Sequence, residues 1–259
     1  MSLYISFANE VYRDRVDLRP SEFYRKLANG PVFPTTSAPS PGDFAQIYDQ
    51  LAAETSEVLS IHLPSKFRAT FDAALQGREQ RKNKRCRIRL VDSPTVVMAL
   101  GLIVIAAAEE AQEGKNLIQI EEMVRKDLAK AHLQGTFDTL EYLRRGGRIG
   151  RAAALLGSTL KLNPILTMSH GAIEPAGRER SRAKAIEHLY NFTKSFSGRI
   201  RKLAVEYADY GTTPQEAEAL LQRLQPLLPS GERVYESQVS PVIGTHTGPG
   251  LILVSILEA

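Results

Sequence analysis

The stretch 139-TLEYLRRGGRIGRAAALLGSTL-160 sets two Arg-Gly runs side by side. Glycine backbone interleaved with arginine is a composition that can cradle a phosphate, so nucleotide binding is the first chemistry to weigh. A dinucleotide loop needs its glycines directly after a strand and ahead of a helix, so that the helix N-terminus meets the pyrophosphate. Here the preceding segment, 138-DTLEYLRR-145, is helical in character, with Leu140 and Leu143 spaced for one face. The run lacks the GxGxxG spacing, and no Lys-Ser/Thr pair follows as in a P-loop. The glycines are better read as chain turns. Gly146-Gly147 ends one helix with a left-handed residue, and Gly150 admits close approach of a second helix, 151–160.

Other candidate chemistry is sparse. The basic run 78-REQRKNKRCRIR-89 contributes much of the formal net charge of +4, and a nucleic-acid-binding protein acting through it is one alternative reading. No aromatic residue is interleaved with the run, so stacking on bases has no support. The single cysteine, Cys86, excludes an internal disulfide and a cysteine-based zinc site, and with no signal peptide it points to a reducing cytoplasm. His62, His132, His170 and His188 show no ligand spacing, so no metal is assigned. Ser65 and His246 with Asp92 as orienter would make a serine hydrolase, a second alternative, but Ser65 sits in Pro-Ser-Lys rather than in a GxSxG elbow.

The elements that position these residues follow an α/β rhythm. A short strand 4-YISF-7 precedes a helix from Pro20, whose Phe23, Tyr24 and Leu27 share a face. The proline-rich 34-PTTSAPSPGDF-44 cannot be an interior strand or helix, and Ser40-Pro41 caps the helix 42–54. A strand 57–63, a turn and helix over 64–79 and a strand 87–92 lead to the apolar run 96-VVMALGLIVIAAA-108, too short for the ~20 residues of a membrane span and read as a buried helix. A polar helix 118–133 follows. Later come a hairpin, 163–168 with 172–177, a helix 181–196, a strand 200–208, a helix 213–228 and a terminal pair of strands around 244-GTHTGPG-250. The expectation is two α/β domains, residues 1–134 and 135–259, the first with a largely parallel sheet.

The wording 138-DTLEYLRRGGRIGRAAALLGSTLKLNPILTMSHGAIEPAGRERSRAKA-185 resembles the signature of the DegV family of bacterial fatty-acid-binding proteins. The segments 10-EVYRDRVDLRPSEFYRKL-27, 34-PTTSAPSPGDF-44, 60-SIHLPSKFRATFDAA-74, 91-VDSPTVVMALGL-102 and 243-IGTHTGPG-250 follow the family in its own order. The resemblance implies two α/β domains holding one long-chain fatty acid between them, without catalysis or a cofactor of the chain's own. It also implies, for kinase-coupled members, presentation of the carboxylate to a fatty acid kinase partner. No specific nucleic acid and no stable membrane insertion belong to that picture.

By the same resemblance the carboxylate contacts are Thr35, Thr36 and Ser37, Ser65 after the second strand, and His246, all expected on loops. Hydroxyls and an imidazole donate to a carboxylate without adding a permanent charge. Arg180 and Arg182 match a basic stretch near the partner or its phosphate. About fourteen buried methylenes offer on the order of 11 kcal/mol before ordering costs, against ~1.5–3 kcal/mol for a hydrogen bond to a charged head. Tail burial therefore sets affinity, and the head contacts set orientation.

Two departures from the family stand out. Its usual opening strand and Thr-Asp-Ser loop are not found ahead of YISFANEVYRD, which implies an exposed sheet edge. The loop usually reading Ser-Ser-x-x-Ser-Gly-Thr is here 64-PSKFRAT-70. Ala69 must then take a backbone conformation suited to glycine, while Arg68 would either pair with the ligand carboxylate or block its entry.

Overall fold

The computed structural model describes residues 1–67, 69–156 and 162–259. Arg68, with its two expected roles, and residues 157–161, the end of the expected helix 151–160, lie outside the described residues.

The chain opens with a small antiparallel sheet. β1 (Tyr4–Phe7) pairs with β2 (Glu10–Arg13), helix α1 (Pro20–Asn29) follows, and β3 (Thr35–Ser37) pairs with the other side of β1. The proline-rich stretch thus supplies an edge strand, where missing donors are tolerated. α2 (Pro41–Glu54) starts at Ser40, whose hydroxyl accepts from Asp43 N while the Asp43 carboxylate accepts from Ser40 N, a complete capping box. β4 (Glu57–His62), a single 3₁₀ turn (Ser65–Phe67), α3 (Thr70–Gln80) and β5 (Arg87–Asp92) form a parallel βαβ unit in full register from Glu57↔Arg87 to His62↔Asp92. The expected parallel sheet is this pair of strands; β1, β2 and β3 stand apart as an antiparallel sheet.

α4 (Val97–Gln112) is the apolar run, with Ala99, Leu102, Ile103, Ala106 and Ala107 buried. α5 (Leu117–Asp127) is shorter than the expected helix 118–133. A turn intervenes, and Ala131–Thr136 is strand β6. Both edges of β6 are paired, with β7 and with β11, which outweighs local helix preference. The division read at 134/135 falls inside this strand.

After α6 (Glu141–Arg145) and a 3₁₀ segment (Gly150–Leu155) come β7 (Asn163–Ser169) and β8 (Ala172–Glu179), the expected hairpin. α7 (Arg182–Lys194), β9 (Ile200–Tyr207), α8 (Thr213–Leu224), β10 (Tyr235–Gln238), α9 (Pro241–Thr247) and β11 (Ile252–Glu258) follow. The six-stranded sheet runs β10-β9-β11-β6-β7-β8, with β11 at the centre, antiparallel to both neighbours. The pair of strands expected around 244–250 is corrected: the first member is helix α9. Pro41 and Pro241 hold the same first-turn position behind a serine, and proline there is pre-set for a helix.

The largest core cluster joins the two halves. Ile5, Phe23 and Tyr24 share this cluster with Leu143, Leu166, Val242 and Leu253, and α9 packs against the first sheet, α1 and α6.

Candidate functional site

A cavity of about 520 Å³ lies between the halves, within the ~300–1,000 Å³ usual for small-molecule sites. One wall comes from the first half: Thr36 and Ser37 on β3, Phe67 and Ala69 after β4, and Val96, Val97 and Leu100 at the start of α4. The facing wall is the second sheet, through Leu133, Leu166, Met168, Ile173 and Leu253, and α9 closes the rim with Val242, Ile243, His246 and Thr247.

The lining is mostly apolar, and part of its polar complement is already engaged. Thr167 donates to the Leu133 carbonyl and Thr247 to the Ile243 carbonyl. The other polar side chains of the lining are Thr36, Ser37, Thr70, His246 and Arg148, the last donating to the Gly146 carbonyl at 3.2 Å. Thr36 Oγ1 and His246 Nε2 share a hydrogen bond of 3.0 Å across the two halves.

His246 is neutral here. Burial, assisted by the positive charge of Arg148, pulls its pKa down to about 4. Its Nδ1 is buried with no partner among the described residues, and it faces Gly146, where an added Cβ would fall 2.3 Å from that nitrogen. The first glycine of the Arg-Gly run is therefore there for space. Gly147, at φ +65°, makes the left-handed turn.

The expected residues divide clearly. Thr36, Ser37 and His246 line the cavity, His246 from a helix rather than the expected loop. Thr35 neighbours them on β3 but is exposed and outside the lining. Ser65 also lies outside it: its backbone N–H and hydroxyl both donate to the Asp92 carboxylate, at 2.8 and 2.5 Å. With Ser65 held by Asp92 directly and His246 held by Thr36, no Ser–His–Asp relay is assembled, which corrects the hydrolase alternative.

Arg180 is exposed. Arg182 is engaged on three sides, with Glu216 (3.0 and 2.9 Å), the Gly250 carbonyl (2.6 Å) and Asp138 (3.4 Å), so it cross-links α7, α8 and the approach to β11. In the basic run, Arg78, Arg87 and Arg89 pair with Glu79, Glu57 and Glu121, which weakens the nucleic-acid alternative. Among the described residues no group of three His, Cys, Asp or Glu could hold a metal, and no helix is long and apolar enough to cross a membrane.

Arg148 went unrecognised in the sequence. It stands in the Arg-Gly run itself, and its signal was position: the charge directly after the turn that brings α6 against His246.

Fold and site together define an α/β protein of two packed units around an apolar chamber closed by a hydroxyl–imidazole pair. The family model described as "Uncharacterised protein, DegV family" matches residues 1–259. A DegV domain-containing protein of Deinococcus radiodurans is 32% identical over 259 residues, covering 98% of this chain and 89% of the relative. Another, from Streptomyces coelicolor, is 37% identical over 220 residues, covering 84% and 76%. The chain belongs to the DegV family. Among solved structures, a fatty-acid-binding DegV family protein from Thermus thermophilus superposes with a TM-score of 0.89 at 31% identity, covering 100% of this chain and 91% of that one. DegV of Bacillus subtilis, a fatty acid binding protein, superposes at 0.88 with 28% identity, covering 100% and 91%.

Proposed function

We propose that this protein is a carrier that holds one long-chain fatty acid in the cavity between its two halves, the units dividing at the turn 128–130 ahead of β6. The observation that carries this reading is an apolar chamber whose polar lining gathers at Ser37, Arg148 and the hydrogen-bonded pair Thr36–His246. An acyl tail fills the chamber and its carboxylate takes the place of solvent at that cluster. The tail gains roughly 0.8 kcal/mol per buried methylene, far more in sum than the head contacts, so the cluster orients the ligand and leaves affinity to the chain.

In this reading the chain performs no catalysis. With Ser65 engaged by Asp92, the ligand head has hydrogen-bond donors and one guanidinium around it, an arrangement suited to presenting a carboxylate. A fatty acid kinase partner is the natural recipient, with exposed Arg180 rather than Arg182 on the side facing it. Thr35, on the outer face of β3, belongs to the rim of the same opening.

The test is native mass spectrometry of protein gently purified from a bacterial host, with a delipidated sample exposed to C16 and C18 fatty acids. A mass increment of one fatty acid per chain supports the proposal. Absence of bound lipid in the purified sample, together with no uptake by the delipidated one, refutes it.

A further inference from the structure

Glu206 is 4% exposed and no cation pairs with it among the described residues. It lies on β9 directly opposite Leu253 of β11, a residue of the cavity wall. Its Oε2 accepts from the backbone N–H of Met98 at 2.9 Å and from the hydroxyl of buried Ser255 at 3.3 Å. Met98 is the second residue of α4. That helix has no side-chain cap of its own at Val96 and no acidic residue in its first turn, so Glu206 supplies from another strand the anion that a helix N-terminus favours. The residue just before Met98 is strained: Val97 has φ +52°, a rare conformation for a β-branched side chain. Val96, Val97 and Leu100 all line the cavity.

Resting on the carrier reading of that cavity, we infer that Glu206 is a positioning residue: its ionised carboxylate holds the start of α4, and strained Val97 with it, in the shape that fits an acyl chain, so protonation of Glu206 loosens the wall and weakens ligand retention. Geometry supplies the lever, and burial puts its transition in an accessible range, since desolvation raises the Glu206 pKa to about 7 against the lowering effects of Met98 N–H, Ser255 and Arg15. The charged and titratable groups facing this region are few. Among the described residues Arg15 is the cation whose charge acts on Glu206, and Tyr24 of α1 is within electrostatic reach of Glu206, Arg15, Asp14 and Asp209. On β10, Ser237 stands opposite, while Glu236 bonds Tyr207. β11 through Leu257 and α4 through Ala108 carry no ionisable side chain.

The experiment is equilibrium binding of the fluorescent fatty acid cis-parinaric acid at pH 8 and pH 6, for the full chain and for Glu206→Gln. The glutamine keeps an acceptor for Met98 N–H and removes the titration. Ionisation of the probe and of other groups affects both proteins alike. The native chain is expected to lose roughly fivefold more affinity than the variant on going to pH 6, the factor separating a charge-assisted from a neutral hydrogen bond. Equal losses overturn the proposal. A second measurement covers a variant that fails to fold: with selective ¹⁵N-methionine labelling, the Met98 amide of the native chain moves with a midpoint near neutrality, and a resonance stationary between pH 6 and 8 overturns the proposal by itself. Absence of probe binding at every pH refutes the carrier reading, and the Met98 titration then still decides whether the charge of Glu206 governs the helix start.

Discussion

Ala69 occupies φ +59°, ψ −54°, immediately ahead of α3. This is the strained positive-φ γ-turn region, where a Cβ meets its own backbone. Holding an L-residue at positive φ costs roughly 1–2 kcal/mol, whereas glycine adopts it without a Cβ clash. Ala69→Gly removes that strain and gives up about 0.5–1 kcal/mol to the greater freedom of the unfolded glycine. The residue is exposed, so little methyl burial is lost. The balance is a stabilisation of about 0.5–1 kcal/mol, which for a chain of this size raises Tm by about 1–4 °C. Urea unfolding followed by circular dichroism reads it as a higher midpoint at unchanged slope. The internal control is Ala74→Gly, in the interior of α3 and fully buried. It destabilises by roughly 2 kcal/mol, from helix propensity and the lost methyl. If Ala69→Gly destabilises as Ala74→Gly does, the strain at this loop is not real and the reasoning fails.

Three further outcomes follow, two from the site and one from a buried histidine outside it. Thr36→Val removes the hydroxyl shared with His246 and weakens binding of a long-chain fatty acid about tenfold, the worth of ~1.4 kcal/mol, with a methyl ester of the same chain much less affected; equal losses for acid and ester in titration calorimetry count against a head-group role. Met168→Trp fills the chamber from β7 and lowers the lipid occupancy seen by native mass spectrometry, with Tm as the check that the fold persists; unchanged occupancy places the tail elsewhere. His62, buried beneath Phe44 and Phe71, has its pKa lowered by burial to about 4 from 6.5. The unfolded chain then binds more protons than the native one between those values, so stability is full above pH 6.5 and lost as pH falls through 4, by roughly 3 kcal/mol. His62→Gln flattens that acid limb in urea unfolding at pH 7 and pH 4, and an unchanged limb argues against a neutral buried imidazole.

The sequence carried local signals well and burial poorly. Ser40-Pro41 announced α2 because a helix cap is a property of adjacent residues, and the structure completes it with Asp43. Ser240-Pro241 carried a related mark for α9, but the β-branched and glycine residues of 241-PVIGTHT-247 favoured strands, and only packing against α1 and β1 makes that segment helical. Ala131–Thr136 read as the tail of a helix because its strand character comes from β7 and β11, distant in sequence. At the site, Thr36, Ser37 and His246 were legible through the family's wording. Ser65 was legible only as a hydroxyl on a loop, since the Asp92 that engages it comes from the end of the neighbouring strand. Arg148 and Glu206 draw their importance from what surrounds them, and no spacing of residues encodes that.

The central place of β11 bears on how the molecule is made. Synthesis delivers β6, β7 and β8 as one ribbon and β9 with β10 as another, and neither contains a strand that joins them. Both wait with an open edge until residues 252–258 clear the ribosome and slot between them. The chamber that Leu253 helps to line comes into being at that same late step. A nascent chain stalled before it carries two unpaired strand edges, the kind of surface that recruits chaperones or a neighbouring copy.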